Sequence, residues 1–162
     1  MQEYLSDAIV LHGEPNGDLD IRFSLFTKKF GKLTAKAKSA RKITSKLRGH
    51  LQPGNLVKSR IVEKNGLHVA DALKEKQTGL NFADLKVLKD LLIDGEPDLA
   101  LWSMLTSGQF TWARALRNLG WDPAHAKCDE CGSKPIAFNI ERQLFFCVKC
   151  ASALGQKALI YI

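Results

Sequence analysis

The sequence predicts an α+β chain: a small N-terminal barrel of five strands, then a helical domain carrying a four-cysteine element. Three observations predict it. Apolar residues alternate with a period of two through about the first eighty positions. From Leu80 they change to helical spacing, and all four cysteines fall as two Cys-x-x-Cys pairs in the last 35 of 162 residues.

The first strand is read from EYLSDAIVLHG, and EPNGD after it carries the proline and Asn-Gly of a turn. In DIRFSLFTKK, Ile21, Phe23 and Leu25 alternate with Arg22, Ser24 and Phe26, which sends one set inward and places Phe26 on the outward face of the strand, with core burial as its expected fate. In KLTAKAK, Leu33, Ala35 and Ala37 share one face while Lys32, Thr34, Lys36 and Lys38 share the other. After Ser39 the alternation stops. ARKITSKLRGHLQPG reads as a basic loop or short helix closed by Pro53-Gly54, and VKSRIVEKNGLHVADAL as two strands around Asn65-Gly66, a pair that tolerates the positive φ of a tight hairpin. Five such strands suit an OB barrel, and an SH3-like barrel satisfies the same pattern.

Phe82, Leu85, Leu88 and Leu92 then follow helical spacing, with Asn81 placed to cap the helix and Asp84 three residues on. A second helix carries Leu99, Trp102 and Leu105, with Pro97 suited to its first turn. FTWARALRNLG makes a third, and Gly120 is a natural left-handed terminator. KEKQTG marks the expected boundary: a barrel domain at 1–78 and a helical domain at 79–162, with the metal element at about 126–151.

The formal charge of +7 is uneven, because eleven basic residues and no acid lie between Lys28 and Val62, leaving the rest of the chain net negative. Such a segment favours a polyanionic partner, nucleic acid first and an anionic membrane surface second. Lys58 and Arg60 share a strand face and are expected to extend the same surface. No apolar run approaches the ~20 residues needed to cross a bilayer, and MQEYLSDAIV has no basic-then-apolar leader, which reads as cytoplasmic.

Cys128, Cys131, Cys147 and Cys150 form C-x2-C, fifteen intervening residues, then C-x2-C, a spacing that fits one zinc ion held by four thiolates. With no position left for water, the ion is expected to be structural. Two disulfides would need an oxidising compartment, which nothing in the chain suggests. His125 stands three residues before the first pair and reads as a surface residue, while Gly132 relieves the first turn and Ala151 follows the second. No phosphate loop, nucleophile elbow or His-Glu-x-x-His is present, so the expectation is a protein without catalytic residues.

The run GDLDIRFSLFTKKFGKLTAKAKSARKITSKLRGHLQPGNLV strongly resembles the N-terminal domain of the bacterial recombination mediator RecO family, and ALRNLGWDPAHAKCDECG resembles the helix that leads into that family's zinc cysteines. The resemblance implies an OB fold, a helical domain with a zinc ribbon or knuckle, and no catalysis. It implies a cytoplasmic, nucleoid-associated DNA-repair protein that binds single- and double-stranded DNA, anneals complementary strands and works with RecR to help RecA load. The matched basic positions are Lys32, Lys36, Lys38, Arg41, Lys42, Lys46 and Arg48, and the matched metal positions are Cys128, Cys131, Cys147 and Cys150.

Ser39 stands where the family commonly has glycine, and Gly54 where it often has an aromatic. Typical members have a longer helical domain, which carries their contact with the tail of single-strand-binding protein, and no residue here is matched to that contact. Two other classes fit the residues alone: an adaptor that docks a protein through its helical and zinc half, and an RNA-binding OB and zinc-ribbon protein. Seven phosphate contacts would give a log–log salt slope of roughly −5.

Overall fold

The computed structural model describes residues 2–155 and 158–162. In chain order the elements are β1 (Gln2–Asn16), β2 (Asp20–Thr27), β3 (Gly31–Ala37), α1 (Lys46–His50), β4 (Asn55–Glu63), β5 (Leu67–Gln77), α2 (Phe82–Leu91), α3 (Leu99–Thr106), α4 (Trp112–Asn118), β6 (Ala137–Asn139), β7 (Leu144–Phe146), α5 (Val148–Ala153) and β8 (Leu159–Tyr161). They form two compact units, Met1–Gly108 and Gln109–Ile162. Helices α2 and α3, grouped by the sequence reading with the cysteine segment, therefore belong to the same unit as the barrel. Among the described residues no helix is long and apolar enough to cross a membrane.

In the first unit the strands close in the order β1-β2-β3-β5-β4. That order, with β3 beside β5 and a helix between β3 and β4, is the OB arrangement, and it settles the choice between the two barrel types. β1 is long enough to pair with β4 through its first half (Gln2↔Glu63 to Ile9↔Leu56) and with β2 through its second (Ala8↔Thr27 to Asn16↔Asp20). An irregularity between Val10 and His12 bends the strand as it passes from one partner to the other. The β4–β5 turn has Asn65 at φ 52° and Gly66 at φ 106°, the left-handed pair expected of Asn-Gly.

Alternation fills the barrel with Ala8, Val10, Phe23, Leu25, Ala35, Ala37, Val57, Ile61 and Val69, while Leu51 and Leu47 close it from α1 and the residue after it. The alternate positions are not all solvent-facing. Ile9, Leu11 and Phe26 are fully buried as well, because α2 packs on β1 and the Trp102 ring of α3 lies 5.9 Å from that of Phe26. Phe26 points out of the barrel, as its register requires, but it is covered there by Trp102 of α3. It is therefore closed to any base.

Capping chemistry fixes these helices. Asn81 accepts the Asp84 N–H at 2.8 Å, and its own amide donates to the Asp84 carboxylate at 2.8 Å. Asp98 caps α3 by accepting from the Leu101 N–H, which leaves Pro97 just outside the helix instead of within its first turn. The open edge of β3 is covered at one end by the loop after α2: Gly95 N–H donates to the Lys32 carbonyl at 2.9 Å. Gly31, at φ 67°, lies so close that a Cβ there would run into the Glu96 backbone.

In the second unit, β6 pairs with β7 on one side and β8 on the other. Phe138 is fully buried between the rings of Trp121 (5.4 Å) and Phe145 (5.0 Å). α4 ends as its glycine predicts: Trp121 N–H donates to Leu116 O at 2.8 Å and Gly120 N–H to Arg117 O at 3.2 Å, with Gly120 at φ 101°.

Candidate nucleic-acid interface and metal centre

The seven basic residues matched in the sequence occupy three settings. Lys38, at the end of β3, Lys42, in the following loop, and Lys46 and Arg48, on α1, are all exposed, and none makes a side-chain ion pair among the described residues. Arg41 is also exposed, and its guanidinium donates to the carbonyls of Asp18 (2.9 Å) and Gly17 (3.4 Å), which orients the group without cancelling its charge. Lys36 is half-buried and ion-paired with Asp20 at 2.9 Å. Lys32 is turned toward α2: its side chain is 14% exposed and its ammonium meets the Lys89 carbonyl at 2.8 Å and Asp94 at 3.2 Å. Five exposed cations outside any close ion pair thus cluster where β3 runs into the loop and α1, with only Lys38 near enough to Asp20 to act on its carboxyl, while Lys32 serves to hold β3 against the helical layer.

Asp20 sits at the margin of this cluster. The Lys36 hydrogen bond, followed by the Ser39 N–H at 2.7 Å, holds its carboxyl below the usual 3.8. Because the folded state depresses this pKa, its stabilising contribution is present above about pH 4 and is lost as the pH falls below that value. Ser39 has φ 54°, a left-handed conformation that explains why glycine suits the position; here the Asp20 carboxylate grips its N–H instead. Gly54 is also left-handed, at φ 85°, and donates its N–H to Val10 O at 2.8 Å.

Lys58 and Arg60 do not extend the cluster. β4 lies between β5 and β1, away from β3, and the two cations are paired with Glu75 (3.0 Å) and Glu3 (3.2 Å). Lys28 and Lys29 are exposed in the turn before β3, at the strand end opposite Lys36 and Lys38. Lys64, which stands alone in the sequence, is brought near Lys38 by the fold and lines the same groove.

In the second unit the Sγ atoms of Cys128, Cys131, Cys147 and Cys150 all lie within 4.8 Å of one another, and Cys131 and Cys147 are 3.6 Å apart. No pair is bonded as a disulfide. The first pair sits on a turn in which Gly132 N–H donates to Cys128 O (2.8 Å) and Cys128 N–H to Ser133 O (2.8 Å), with Gly132 at φ 72°. The second pair starts a helix: Cys147 occupies the position just before α5 and Cys150 lies in its first turn, so the following Ala151 is helical and no glycine is required. His125 is exposed, bonded to Asp122 at 3.1 Å, and stands outside the cluster.

The thiols differ in acidity. The Ser133 hydroxyl, then the Ser133 N–H and the neighbouring thiols, lower Cys131 to about 6. At Cys128 burial acts upward, but the N–H groups of Cys147, Cys131 and Glu130 more than offset it. Hydrogen bonding to Cys147, then burial, pushes Cys150 up to about 12. Four thiolates this close repel unless a cation sits among them. The residues can hold a metal ion: sulfurs ~2.3 Å from one centre form a tetrahedron with edges of ~3.8 Å, near the spacing observed.

The barrel and the cysteine cluster define an OB-fold protein with a four-cysteine metal-type centre. Residues 1–75 match the family described as recombination protein O N terminal. The DNA repair protein RecO of Acidithiobacillus ferrooxidans is 32% identical over 161 residues, which cover 85% of this chain and 63% of that protein. Those of Myxococcus xanthus (29% identical; 83% and 66% covered) and Thermodesulfovibrio yellowstonii (27%; 93% and 71%) are similar along most of the chain. The chain is thus similar to RecO-family proteins along most of its length, and it spans less than two thirds of the length of the first two relatives.

Proposed function

We propose that this chain is a recombination mediator in DNA repair, which binds single- and double-stranded DNA through the cationic end of its barrel and anneals complementary strands. The observation that carries the reading is the clustering of Lys38, Arg41, Lys42, Lys46 and Arg48, exposed and outside any close ion pair among the described residues. The family relationship supports the repair context, with RecR as a partner in RecA loading, in the bacterial cytoplasm at the nucleoid. The single-strand-binding protein contact is left unassigned to any residue.

Two complementary strands repel as polyanions before their bases meet. A surface of cations lowers that cost by contacting phosphates and releasing condensed counterions, and it does so for any sequence. No covalent bond is made or broken, so the mechanism needs no catalytic group. Purified protein should accelerate annealing of complementary oligonucleotides without ATP, and an unchanged annealing rate would defeat the proposal. Five contacts, rather than seven, give a log-affinity against log-salt slope of about −3.5 for single strands. A titration by fluorescence anisotropy reads this directly.

Asp20→Asn should tighten single-strand binding. The amide keeps an acceptor for the Ser39 N–H but releases Lys36, adding one cation to the binding surface and steepening the slope to about −4.2, roughly fivefold in affinity at 0.1 M salt.

We assign zinc to the cysteine cluster, with Cys128, Cys131, Cys147 and Cys150 as its ligands. Four thiolates leave no open coordination position, and the role is to hold the β6–β7 hairpin and α5 together.

A further inference from the structure

The barrel closes between β3 and β5 through a single paired position, Lys36↔His68. Beyond it lies a cavity of about 380 Å³ lined by Lys38, Leu47, Val62, Lys64, His68, Val69 and Ala70. Its walls are apolar at Leu47, Val62, Val69 and Ala70, while exposed Lys38 and Lys64 face it from the β3 end and the β4–β5 turn. The β4–β5 pairing steps from Ile61↔Val69 to Arg60↔Asp71, so Ala70 is the extra residue of a bulge and has no partner opposite it. The His68 ring nitrogen Nε2 lies 3.1 Å from the Lys64 carbonyl and braces the turn that presents Lys64.

We infer that this cavity receives one unpaired base of single-stranded DNA, with Lys38 and Lys64 on the phosphates that flank it. The proposal rests on the reading that the cationic end binds DNA, and it adds a contact which that reading lacks. Lysines alone do not distinguish a single strand from a duplex. An apolar recess between two cations does, because only an unpaired base can leave its stack to enter it. With Phe23 and Phe26 buried, β2 and β3 present no exposed aromatic ring, and the recess gives a base an apolar surface beside the cations.

The test uses the full chain and two oligomers of equal length: oligo-dT and an abasic deoxyribose-phosphate strand. The wild type should bind oligo-dT about five- to tenfold more tightly, the gain from taking roughly 50 Å² of apolar surface out of water. Ala70→Ile fills the recess from an exposed strand position that accepts a β-branched residue. It should reduce that preference to under twofold while affinity for the abasic strand stays unchanged. Lys64→Ala should weaken both strands about fivefold at 0.1 M salt and flatten the salt slope by about 0.7. Equal binding of both strands by the wild type overturns the inference and leaves backbone binding standing. A preference that survives Ala70→Ile overturns the recess as its origin, and failure to bind either strand overturns the DNA reading itself.

Discussion

Treatment with a strong chelator of the zinc proposed for the cysteine cluster should abolish the cooperative unfolding of Gln109–Ile162 while the barrel unit melts as before. The second unit has little core of its own: β6, β7 and β8 are three residues each, and two of the cysteines, Cys128 and Cys147, are themselves part of the buried cluster with Ala137, Phe146 and Ala151. Structural zinc in small domains contributes roughly 10–16 kcal/mol of apparent binding energy near neutral pH, more than a unit of this size can replace by packing. Scanning calorimetry should show two transitions in the metal-loaded protein and only the barrel transition after chelation. Cys128→Ser should have the same effect, and an unchanged second transition in either sample would remove the structural role. Acid works in the same direction, because protons compete for the thiolates and Cys150, at about 12 without an ion, must give one up to bind.

Replacing Lys38, Lys42, Lys46 and Arg48 together by alanine should weaken single-strand binding about 600-fold at 0.1 M salt, since each phosphate left without its cation lowers affinity by a factor of about five. The salt slope should flatten by about 2.8, the share of the four contacts removed. The informative control removes cations elsewhere on the same unit. Lys28, Lys29 and Lys58 replaced by alanine should change affinity by no more than about threefold, because the first two lie at the other end of β3 and the third is already paired with Glu75. Comparable weakening in the two variants would mean that net charge, not the local cluster, drives binding.

The features legible in the sequence are those decided by near neighbours in the chain. Asn81 as a cap, Gly120 as a terminator, Asn65-Gly66 as a turn and the two Cys-x-x-Cys pairs each depend on residues a few positions apart, and each appears in the fold as its local chemistry requires. Strand alternation likewise puts Phe23, Leu25, Ala35 and Ala37 inside the barrel. What was not legible depends on distant partners. Phe26 stands on the outward face of its strand with burial as its expected fate, but the residue that covers it, Trp102, lies on a helix far along the chain. Lys32 reads as one of a row of lysines, but the loop after α2 supplies Asp94, and α2 itself the Lys89 carbonyl, to hold it. Lys58 and Arg60 share the expected face, yet strand order carries that face to acids on β5 and β1. Lys64 and α5 carried no signal: one is a lone charge, the other six residues with no side-chain cap at their start.

The two ends of β3 are secured unequally. Near Gly31 the strand is gripped by Gly95, Asp94 and the Glu96 backbone; near Ala37 it meets β5 through one residue pair. Amide protons around Lys36 and Ala37 therefore open to solvent ahead of those at the gripped end, so deuterium uptake there gives the barrel a built-in isotope record of when its seam is covered.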